Sequence, residues 1–214
     1  LSGIARLLKP RLASLSIEVA PGGLEEYSQL RESGVDRVVI YQETYNRGRY
    51  EGVHLAGPKK SYERRLKAPE AAARAGIARI GMGVLVGLSD WREELAALID
   101  HLRSMKKQYW QTEFTASLPR LRPCASDYKP PAPVSDEEYV EMIARLRVAL
   151  PDTGIVLSTR EGPKLRDRLI GLCVTQMSAG SRTEPGGYLH PKEAETQFEI
   201  EDHRTPAEVA AAIT

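Results

Sequence analysis

The sequence predicts an α/β protein in which a parallel β-sheet is covered by helices. Apolar, β-branched runs alternate with helical patterns along the whole chain, and this alternation is typical of repeated βα units. The runs are continuously apolar, as expected for strands that are buried on both faces. Six units share 214 residues. Because a closed eight-unit barrel at this rate would need roughly 290 residues, we expect a partial (β/α) barrel of the TIM type. An open doubly wound sheet is the alternative.

The predicted elements follow one another in strict order. The strands cover residues 15–20, 36–41, 80–87, 113–118, 155–159 and 175–179. The helices cover residues 23–33, 61–75, 91–107, 136–150 and 164–172, and a last one begins at Pro206. Residues 4–8 have the pattern of the end of an amphipathic helix. Ser135 and Glu138 have capping-box spacing, and Gly34 and Gly76 are predicted to end two helices.

Composition narrows the possible functions. The chain is 42% hydrophobic and 28% charged with a formal net charge of +1, which argues against a protein that grips nucleic acid or an anionic membrane surface. The longest apolar run, residues 80–88, is too short to cross a bilayer. No signal segment precedes the first predicted helix, so we expect a cytoplasmic protein. The chain opens with Leu1 rather than Met, and we expect it to begin partway into a larger protein.

The two cysteines, Cys124 and Cys173, limit the redox chemistry that this chain can support alone. One pair does not make a disulfide framework. An iron–sulfur cluster takes about three or four thiolates, so two cannot hold one. We expect both to be small, partly buried thiols.

Charged and hydroxyl side chains follow every predicted strand. In chain order they include Glu18, Gln42, Glu43, Ser89, Asp90, Arg120, Arg122, Ser158, Arg160, Ser178, Ser181 and Arg182. Parallel strands present their carboxyl ends at one face, where ligands bind. Four of these residues are arginines, whose planar forks match carboxylates and phosphates. The sequence therefore predicts an anionic ligand at this face; the alternative is that the arginines form structural ion pairs with Glu18, Glu43 or Glu161.

Several self-contained catalytic sites are absent from the sequence. No lysine stands at a strand end, which argues against a Schiff-base mechanism. The four histidines lie away from the strand ends and lack metal-ligand spacing. Neither a Gly-rich phosphate loop nor a Gly-x-Ser-x-Gly nucleophile elbow occurs. This pattern suits a site whose reactive chemistry belongs to a cofactor.

Six motifs together resemble one enzyme family. They are YQETYN at 41–46, AGI at 75–77, GMGVLVGLSD at 81–90, PRLRPC at 119–124, LSTRE at 157–161 and SAGSRTEPGGY at 178–188. In this order they resemble the radical S-adenosylmethionine (SAM) tyrosine lyases of the 2-iminoacetate synthase (ThiH) family over essentially the whole chain. The related tyrosine lyase of FeFe-hydrogenase maturation, which builds CO and cyanide, shares most of them. Residues 109–111 and Cys124 resemble the ThiH family, whose product is used for thiamine, more than they resemble the hydrogenase-maturation lyase.

The resemblance implies a fold and an activity. It makes residues 1–214 a single incomplete domain that corresponds to strands 3–8 of a radical SAM barrel, without the units that carry Cys-x3-Cys-x2-Cys. In this family a reduced 4Fe–4S cluster cleaves SAM to a 5′-deoxyadenosyl radical. The radical takes a hydrogen atom from tyrosine, whose Cα–Cβ bond breaks to give p-cresol and 2-iminoacetate (dehydroglycine) for the thiazole of thiamine. The resemblance also implies that this chain alone is inactive.

The resemblance further implies two sets of binding residues. The residues implied for the tyrosine substrate are Arg160, Ser178, Ser181, Arg120 and Arg122. The residues implied for S-adenosylmethionine are Glu18, Gln42, Glu43, Arg65, Gly83, Leu85 and Gly87. Within these sets, Arg160 with Ser178 or Ser181 would hold the tyrosine carboxylate, and Arg65 the methionyl carboxylate. No catalytic residue is assigned, and the metal ligands would lie outside this chain.

Partners and alternatives complete the predictions. The resemblance suggests tyrosine as substrate and the thiazole synthase of thiamine biosynthesis as protein partner, with no nucleic acid and no membrane. One alternative is a non-catalytic remnant that binds a small amino acid or a protein partner. Another is an unrelated barrel that binds phosphate near Gly186. Two missing strands would leave unpaired sheet edges, which favour self-association or instability.

Overall fold

The structure is a computed structural model that describes residues 1–124, 128–184 and 197–214. Gly186, where the phosphate-binding alternative places its ligand, lies outside the described residues. The six strands are β1 (Ser16–Glu18), β2 (Arg37–Glu43), β3 (Arg79–Val84), β4 (Glu113–Ser117), β5 (Gly154–Leu157) and β6 (Gln176–Met177). The helices are α1 (Ser2–Leu8), α2 (Leu24–Glu32), α3 (Arg47–Val53), α4 (Tyr62–Arg74), α5 (Trp91–Gln108), α6 (Asp136–Ala149), α7 (Pro163–Ile170) and α8 (Pro206–Ile213).

All six strands are parallel and pair in chain order, β1-β2-β3-β4-β5-β6. A doubly wound sheet would reverse its strand order at a switch point, and this sheet does not. The prediction of a barrel-type sheet is therefore confirmed over the open alternative. The register shifts once, between Tyr41 and Glu43, which is where the second strand reaches the ligand face.

The sheet is strongly curled. The guanidinium of Arg37 at the start of β2 donates to the amide oxygen of Gln176 on β6 at 2.7 Å and to the hydroxyl of Thr115 on β4 at 2.8 Å. In a flat sheet, four strand spacings of about 4.8 Å would separate β2 from β6 by about 19 Å. The Arg37 side chain reaches both β4 and β6 only because the sheet curves, which brings β2 and β6 toward each other. The six strands therefore form a half-barrel, and Arg37 spans its concave side.

The helices cover the convex side of the half-barrel and bury its apolar residues. Leu98 and Leu102 on α5 and Met142 and Leu146 on α6 are fully buried, as expected for helix stripes with a period of 3.6 residues. Ile80 on β3 is also fully buried. This packing fixes the strand ends, and with them the side chains that line the concave side.

The sequence located every strand and most helices. All six predicted strands are present, although each is shorter than predicted or shifted by one or two residues. The capping box at Ser135 is present, with Glu138 donating its amide to the serine hydroxyl at 3.2 Å. Gly34 and Gly76 have φ values of 95° and 79°, as expected for helix ends. Helix α3 was not predicted, because Gly48 and Gly52 interrupt its apolar pattern.

Within the part of the chain that the structure describes, β1 and β6 each pair on one side only. These strands have three and two residues, so little unpaired backbone is presented at either edge. No helix among the described residues combines the length and apolar character needed to cross a membrane.

Candidate functional site

A cavity of about 320 Å³ lies on the concave side at the carboxyl ends of the strands. Each strand contributes to its wall at or just after its end, through Glu18, Tyr41, Leu85, Ser117, Val156 and Ser178. Parallel strands open toward their ligands at this end of a barrel. This space, called the main cavity below, is therefore the candidate site.

Two arginines line the main cavity, Arg160 and Arg182, and Arg182 pairs with Glu184 at 3.7 Å. Arg160 follows β5, and its guanidinium carbon lies 3.7 Å from the centre of the Phe198 ring. One guanidinium nitrogen of Arg160 donates to the backbone carbonyl of Arg120 at 3.3 Å. Among the residues that the structure describes, no carboxylate lies within ion-pair distance of this guanidinium. Burial lowers the pKa of Arg160, and the nearby Tyr41 and Glu43 partly oppose this shift.

Glu18 and Glu43 form an acidic side of the same cavity. Burial raises the pKa of Glu18, the charge of Glu43 raises it further, and the charge of Arg160 opposes both. The three charged groups are thus close enough to influence one another without direct pairing of Glu18 with Arg160. A cavity lined by two arginines, Arg160 and Arg182, and two acids suits a zwitterionic ligand.

Glu43 has an unusual backbone. Its φ of 69° is the only positive value for a non-glycine residue in the described chain. Arg65 on α4, which is 3% exposed, donates to the Glu43 carboxylate at 2.9 Å and to the carbonyl of Tyr41 at 2.5 Å. Residues held in this region cost of order 1–3 kcal/mol and tend to mark functional sites. The structure therefore gives Arg65 the task of holding Glu43, behind the cavity wall.

Tyr41 lies beside the acidic side with its ring against Gly83. A Cβ at Gly83 would lie 2.9 Å from the Tyr41 ring and 2.1 Å from the carbonyl oxygen of Ser117, so only glycine fits there. Burial raises the pKa of Tyr41 to about 12, the charge of Glu18 adds to this effect, and a hydrogen bond with Ser117 opposes it. The phenol therefore stays protonated at neutral pH.

A second cavity of about 330 Å³ adjoins the main cavity and is called the side cavity. It is lined by Glu43, Val53, His54, Leu85, Leu88 and Tyr128. Glu43 and Leu85 line both cavities and thus form the partition between them. His54 stacks on the ring of Tyr50 at 4.1 Å, and burial lowers its pKa, so this ring is neutral near pH 7.

The structure brings together some of the predicted site residues. Those that line the main cavity are Glu18, Glu43, Leu85, Arg160, Ser178 and Ser181. The predicted convergence of Arg160 and Ser178 on one cavity is thus observed. Gln42 is buried and donates to the carbonyl of Thr44, and Gly87 has a φ of 111° behind Leu121 and Pro130; neither lines either cavity. Their roles stay predictions.

The structure does not bring Arg120 and Arg122 to the main cavity. Both guanidinium groups pair with Glu161, which is fully buried, the second at 3.0 Å. Arg120 also pairs with Asp136 at 2.7 Å, and Arg122 pairs with Glu201 at 2.5 Å. A buried carboxylate demands such partners. The alternative of structural ion pairs therefore describes these two arginines.

Sequence reasoning missed four residues of this region. Tyr41 and Ser117 lie inside predicted strands, and the alternation of side chains along a strand could have placed them on the concave side. Phe198 and Arg166 come from a distant segment and from helix α7, and no local pattern points to them. Among the described residues, no cluster of three or more histidine, cysteine or acidic side chains could hold a metal ion.

Comparison with known proteins gives one family model and several similar proteins. A family model described as the Biotin and Thiamin Synthesis associated domain matches residues 117–214. A relative from Escherichia coli (strain K12), named 2-iminoacetate synthase, is 41% identical over 208 residues, which are 97% of this chain and 55% of that protein. A protein of the same name from Salmonella typhimurium (strain LT2) is 40% identical over the same shares. The chain is related to the 2-iminoacetate synthases. It spans about half the length of these curated relatives.

Three solved structures are also similar to this relative of the 2-iminoacetate synthases. A crystal structure of HydG, described as a maturase of the FeFe-hydrogenase, superposes with a TM-score of 0.89 at 36% identity, covering 99% of this chain and 48% of HydG. HydG from Carboxydothermus hydrogenoformans gives 0.82 at 40% identity, with 94% and 46% covered. Methylornithine synthase shares only the fold, with a TM-score of 0.63 at 18% identity over 99% of this chain and 65% of that one.

Proposed function

We propose that this chain is part of a radical SAM lyase that cleaves the Cα–Cβ bond of tyrosine to 2-iminoacetate and p-cresol, for the thiazole of thiamine. Both curated relatives are named 2-iminoacetate synthase, which supports 2-iminoacetate as the product. Their sequence identity near 40% over nearly the whole chain supports the relationship to this chain. The chain covers about half of those proteins, so the activity belongs to the full-length gene product.

The observation that carries the proposal is the state of Arg160. Its guanidinium is partly buried against the Phe198 ring, and no described carboxylate pairs with it. Leaving a buried cation without a partner is costly, and a ligand carboxylate would supply that partner. The hydroxyls of Ser178 and Ser181 lie in the same wall and provide further hydrogen-bond donors. We therefore propose that Arg160, Ser178 and Ser181 hold the tyrosine carboxylate.

The side cavity and its partition suit S-adenosylmethionine. The carboxylate of Glu43 can accept hydrogen bonds from ribose hydroxyls or an ammonium group, and Leu85 and Leu88 offer apolar surface to a flat ring. Arg65, which is buried behind the wall, would act on such a ligand only by holding the Glu43 carboxylate. When bound with a reduced 4Fe–4S cluster, this cofactor supplies an organic radical. The cluster ligands would lie outside this chain, whose two cysteines are too few.

The residues of this chain would act by position. Anchoring the carboxylate at Arg160 would fix one end of tyrosine and so set the orientation of the substrate in the main cavity. Tyr41 stays neutral beside the acids, so it adds no further negative charge near the ligand.

The experiment is anaerobic iron reconstitution of the full-length gene product, followed by an assay for p-cresol formed from tyrosine. We expect p-cresol from the full-length protein and none from residues 1–214 alone. An intact cluster without p-cresol would defeat the lyase assignment. If that protein still bound tyrosine, it would match the alternative of a non-catalytic remnant.

Replacing Arg160 tests the carboxylate anchor within that assay. Arg160→Lys keeps the charge but loses the planar fork and the stacking on Phe198, so we expect the KM for tyrosine to rise roughly tenfold or more. Arg145→Lys is the matched control, because Arg145 is an exposed residue of α6 that pairs with Glu141. Equal KM values in the two variants would contradict the proposed anchor.

The hydrogenase-maturation branch is the second candidate, because the two HydG structures superpose so closely on this chain. Release of CO and cyanide from tyrosine would favour that branch, whereas accumulation of 2-iminoacetate as the end product would favour the thiamine branch. A cytoplasmic location and association with the thiazole synthase belong to the thiamine proposal. Co-purification with that synthase tests the second of these.

A further inference from the structure

We infer that Arg166 and Asp202 are positioning residues that hold the segment 197–202 against the end of β5 and thereby hold Arg160 and Ser178 in place. This inference rests on the proposed function, because it concerns how the proposed carboxylate anchor is kept in its binding geometry. Neither residue lines the main cavity, so neither touches a ligand there.

The first observation is the burial of the pair. The side chains of Arg166 on α7 and Asp202 form an ion pair in which both are fully buried. Arg166 also donates to the carbonyl oxygen of Ser178, directly after β6. One guanidinium thus joins helix α7, the end of β6 and the segment 197–202. Burial of a charged pair contributes little net stability by itself, so geometric specificity is a sound hypothesis for why it is kept.

The second observation is how the segment 197–202 is fastened to the site. The amides of Glu201 and Asp202 both donate to the carbonyl of Thr159 at 3.1 Å, one residue before Arg160. The amide of Glu199 donates to the carbonyl of Pro123 at 2.9 Å. The amide of Gln197 donates to the carbonyl of Thr183 at 3.3 Å, so Phe198, whose ring covers the Arg160 guanidinium, lies between two fastened residues, Gln197 and Glu199.

The third observation is the electrostatic balance at Asp202. Burial pushes the pKa of Asp202 upward, but the hydrogen bonds from Arg204 and the charges of Arg166 and Arg204 outweigh it, and the net shift is downward. Arg204 donates to Asp202 at 2.7 Å and to Asp167 at 2.9 Å. Asp202 is therefore an anion at neutral pH, and it has a second cationic partner if Arg166 is changed.

The test measures equilibrium binding of tyrosine to the full-length protein for the wild type, for Arg160→Lys, for four further single variants and for one double variant. Asp202→Asn keeps the shape of the side chain and removes its charge. Phe198→Leu removes the ring from Arg160 directly, at a half-buried position. Arg166→Lys keeps the charge but cannot reach both partners, and Arg145→Lys is the surface control.

We expect Asp202→Asn, Arg166→Lys and Phe198→Leu each to weaken tyrosine binding by roughly tenfold, and Arg145→Lys to leave it unchanged. The double variant Asp202→Asn/Phe198→Leu should bind as the weaker single variant does, because both changes act on the same group. If the losses of tyrosine affinity multiply in the double variant, the two residues act independently and the inference is overturned. It is also overturned if Asp202→Asn binds tyrosine as the wild type does but has a lower melting temperature, because the ion pair then has a purely structural role.

The failure of the proposed function gives a different result. If the wild type does not bind tyrosine, the carboxylate anchor is wrong, and the positioning role is overturned with it. If the wild type binds tyrosine and Arg160→Lys weakens binding while Asp202→Asn does not, only the positioning role is overturned.

Discussion

Single residues at this site are kept in conformations that their surroundings impose. Glu43 adopts a left-handed backbone and is held there by Arg65. Gly83 has no side chain because the carbonyl of Ser117 and the ring of Tyr41 occupy the space. Arg160 is held by a ring and a backbone carbonyl instead of a carboxylate. At this scale the cavity is prepared by contacts that would be unfavourable in a purely structural protein.

Replacing Gly83 tests how tightly the wall of the main cavity is packed. Gly83→Ala would place its Cβ 2.1 Å from a backbone oxygen, so the strands must separate. We expect the free energy of unfolding to fall by about 1–3 kcal/mol, as for other overpacked sites. Gly52→Ala is the matched control, because nothing lies within 4 Å of its Cβ and it is inside helix α3. That change should stabilise by up to about 1 kcal/mol. Denaturant titration of both variants gives the comparison.

Asp36, at the opposite end of the barrel, predicts a dependence of stability on pH. Burial alone would raise its pKa, but hydrogen bonds from the amide of Leu15, from Ser14 and from Lys9 lower it to about 2. A carboxylate with a lowered pKa stabilises the fold above its unfolded pKa, and this stabilisation is lost as the pH falls through the folded value. Its contribution should therefore be complete above about pH 4 and disappear toward pH 2.

The variant Asp36→Asn measures this contribution. At pH 7 we expect it to be less stable than the wild type by on the order of 1 kcal/mol, because part of the charge faces solvent. The two proteins should converge in stability as the pH approaches 2. A constant difference across the whole pH range, seen by denaturant titration, would rule out this origin.

At the scale of elements, each helix begins and ends where its own sequence specifies. Helices α6 and α8 both begin with a capping box, at Ser135 and Thr205. Helix α5 begins at Asp90, whose carboxylate accepts from the amides of Arg92 and Glu93. Such local signals fix the helix boundaries before tertiary packing contributes.

Ser135→Ala tests the cap of α6. Loss of the serine hydroxyl leaves the amide of Glu138 without its acceptor, so we expect a loss of about 1 kcal/mol in the free energy of unfolding. Ser28→Ala is the control. Its hydroxyl bonds the carbonyl of Leu24 inside helix α2, where alanine is the better helix former. An equal loss in both variants would contradict the capping role.

Local signals also explain how much the sequence could predict. Apolar runs located all six strands, and the rule that parallel strands bind ligands at their carboxyl ends located Glu18, Glu43, Arg160 and Ser178. The rule did not decide between a ligand and an ion pair for Arg120, because its partner Glu161 follows the neighbouring strand β5 and pairing across strands is not written locally.

Arg166 and Phe198 were out of reach for the same reason. Arg166 is an ordinary helix residue until Asp202, 36 positions later, packs against it. Phe198 acquires its place only when the segment 197–202 is fastened to Thr159. Contacts between residues so far apart in the sequence arise from tertiary structure. Periodicity within a window of a few residues does not encode them.

At the scale of the whole molecule, the half-barrel is held in its curved shape by few contacts across its interior. Arg37 connects β2 to β4 and β6, and its Nε is buried without a hydrogen-bond partner. The described edges at β1 and β6 are short, which limits pairing with other chains. Curvature therefore depends on a small number of buried polar groups.

Arg37→Met tests this dependence. The change leaves Gln176 and Thr115 without their partner, so we expect a loss of about 2 kcal/mol and faster amide exchange in β6. Arg145→Met on the surface of α6 should change stability by less than about 0.5 kcal/mol. Unchanged exchange in β6 would show that the curvature has another origin.

The partition made by Glu43 and Leu85 has a consequence for how this protein can change over time. Since the two compartments share a divider of only two side chains, a substitution there alters both volumes at once. A mutation that adapts the main cavity or the side cavity to a new small molecule therefore also changes the space available to the ligand of the other cavity. The specificities of the main cavity and the side cavity are therefore inherited together.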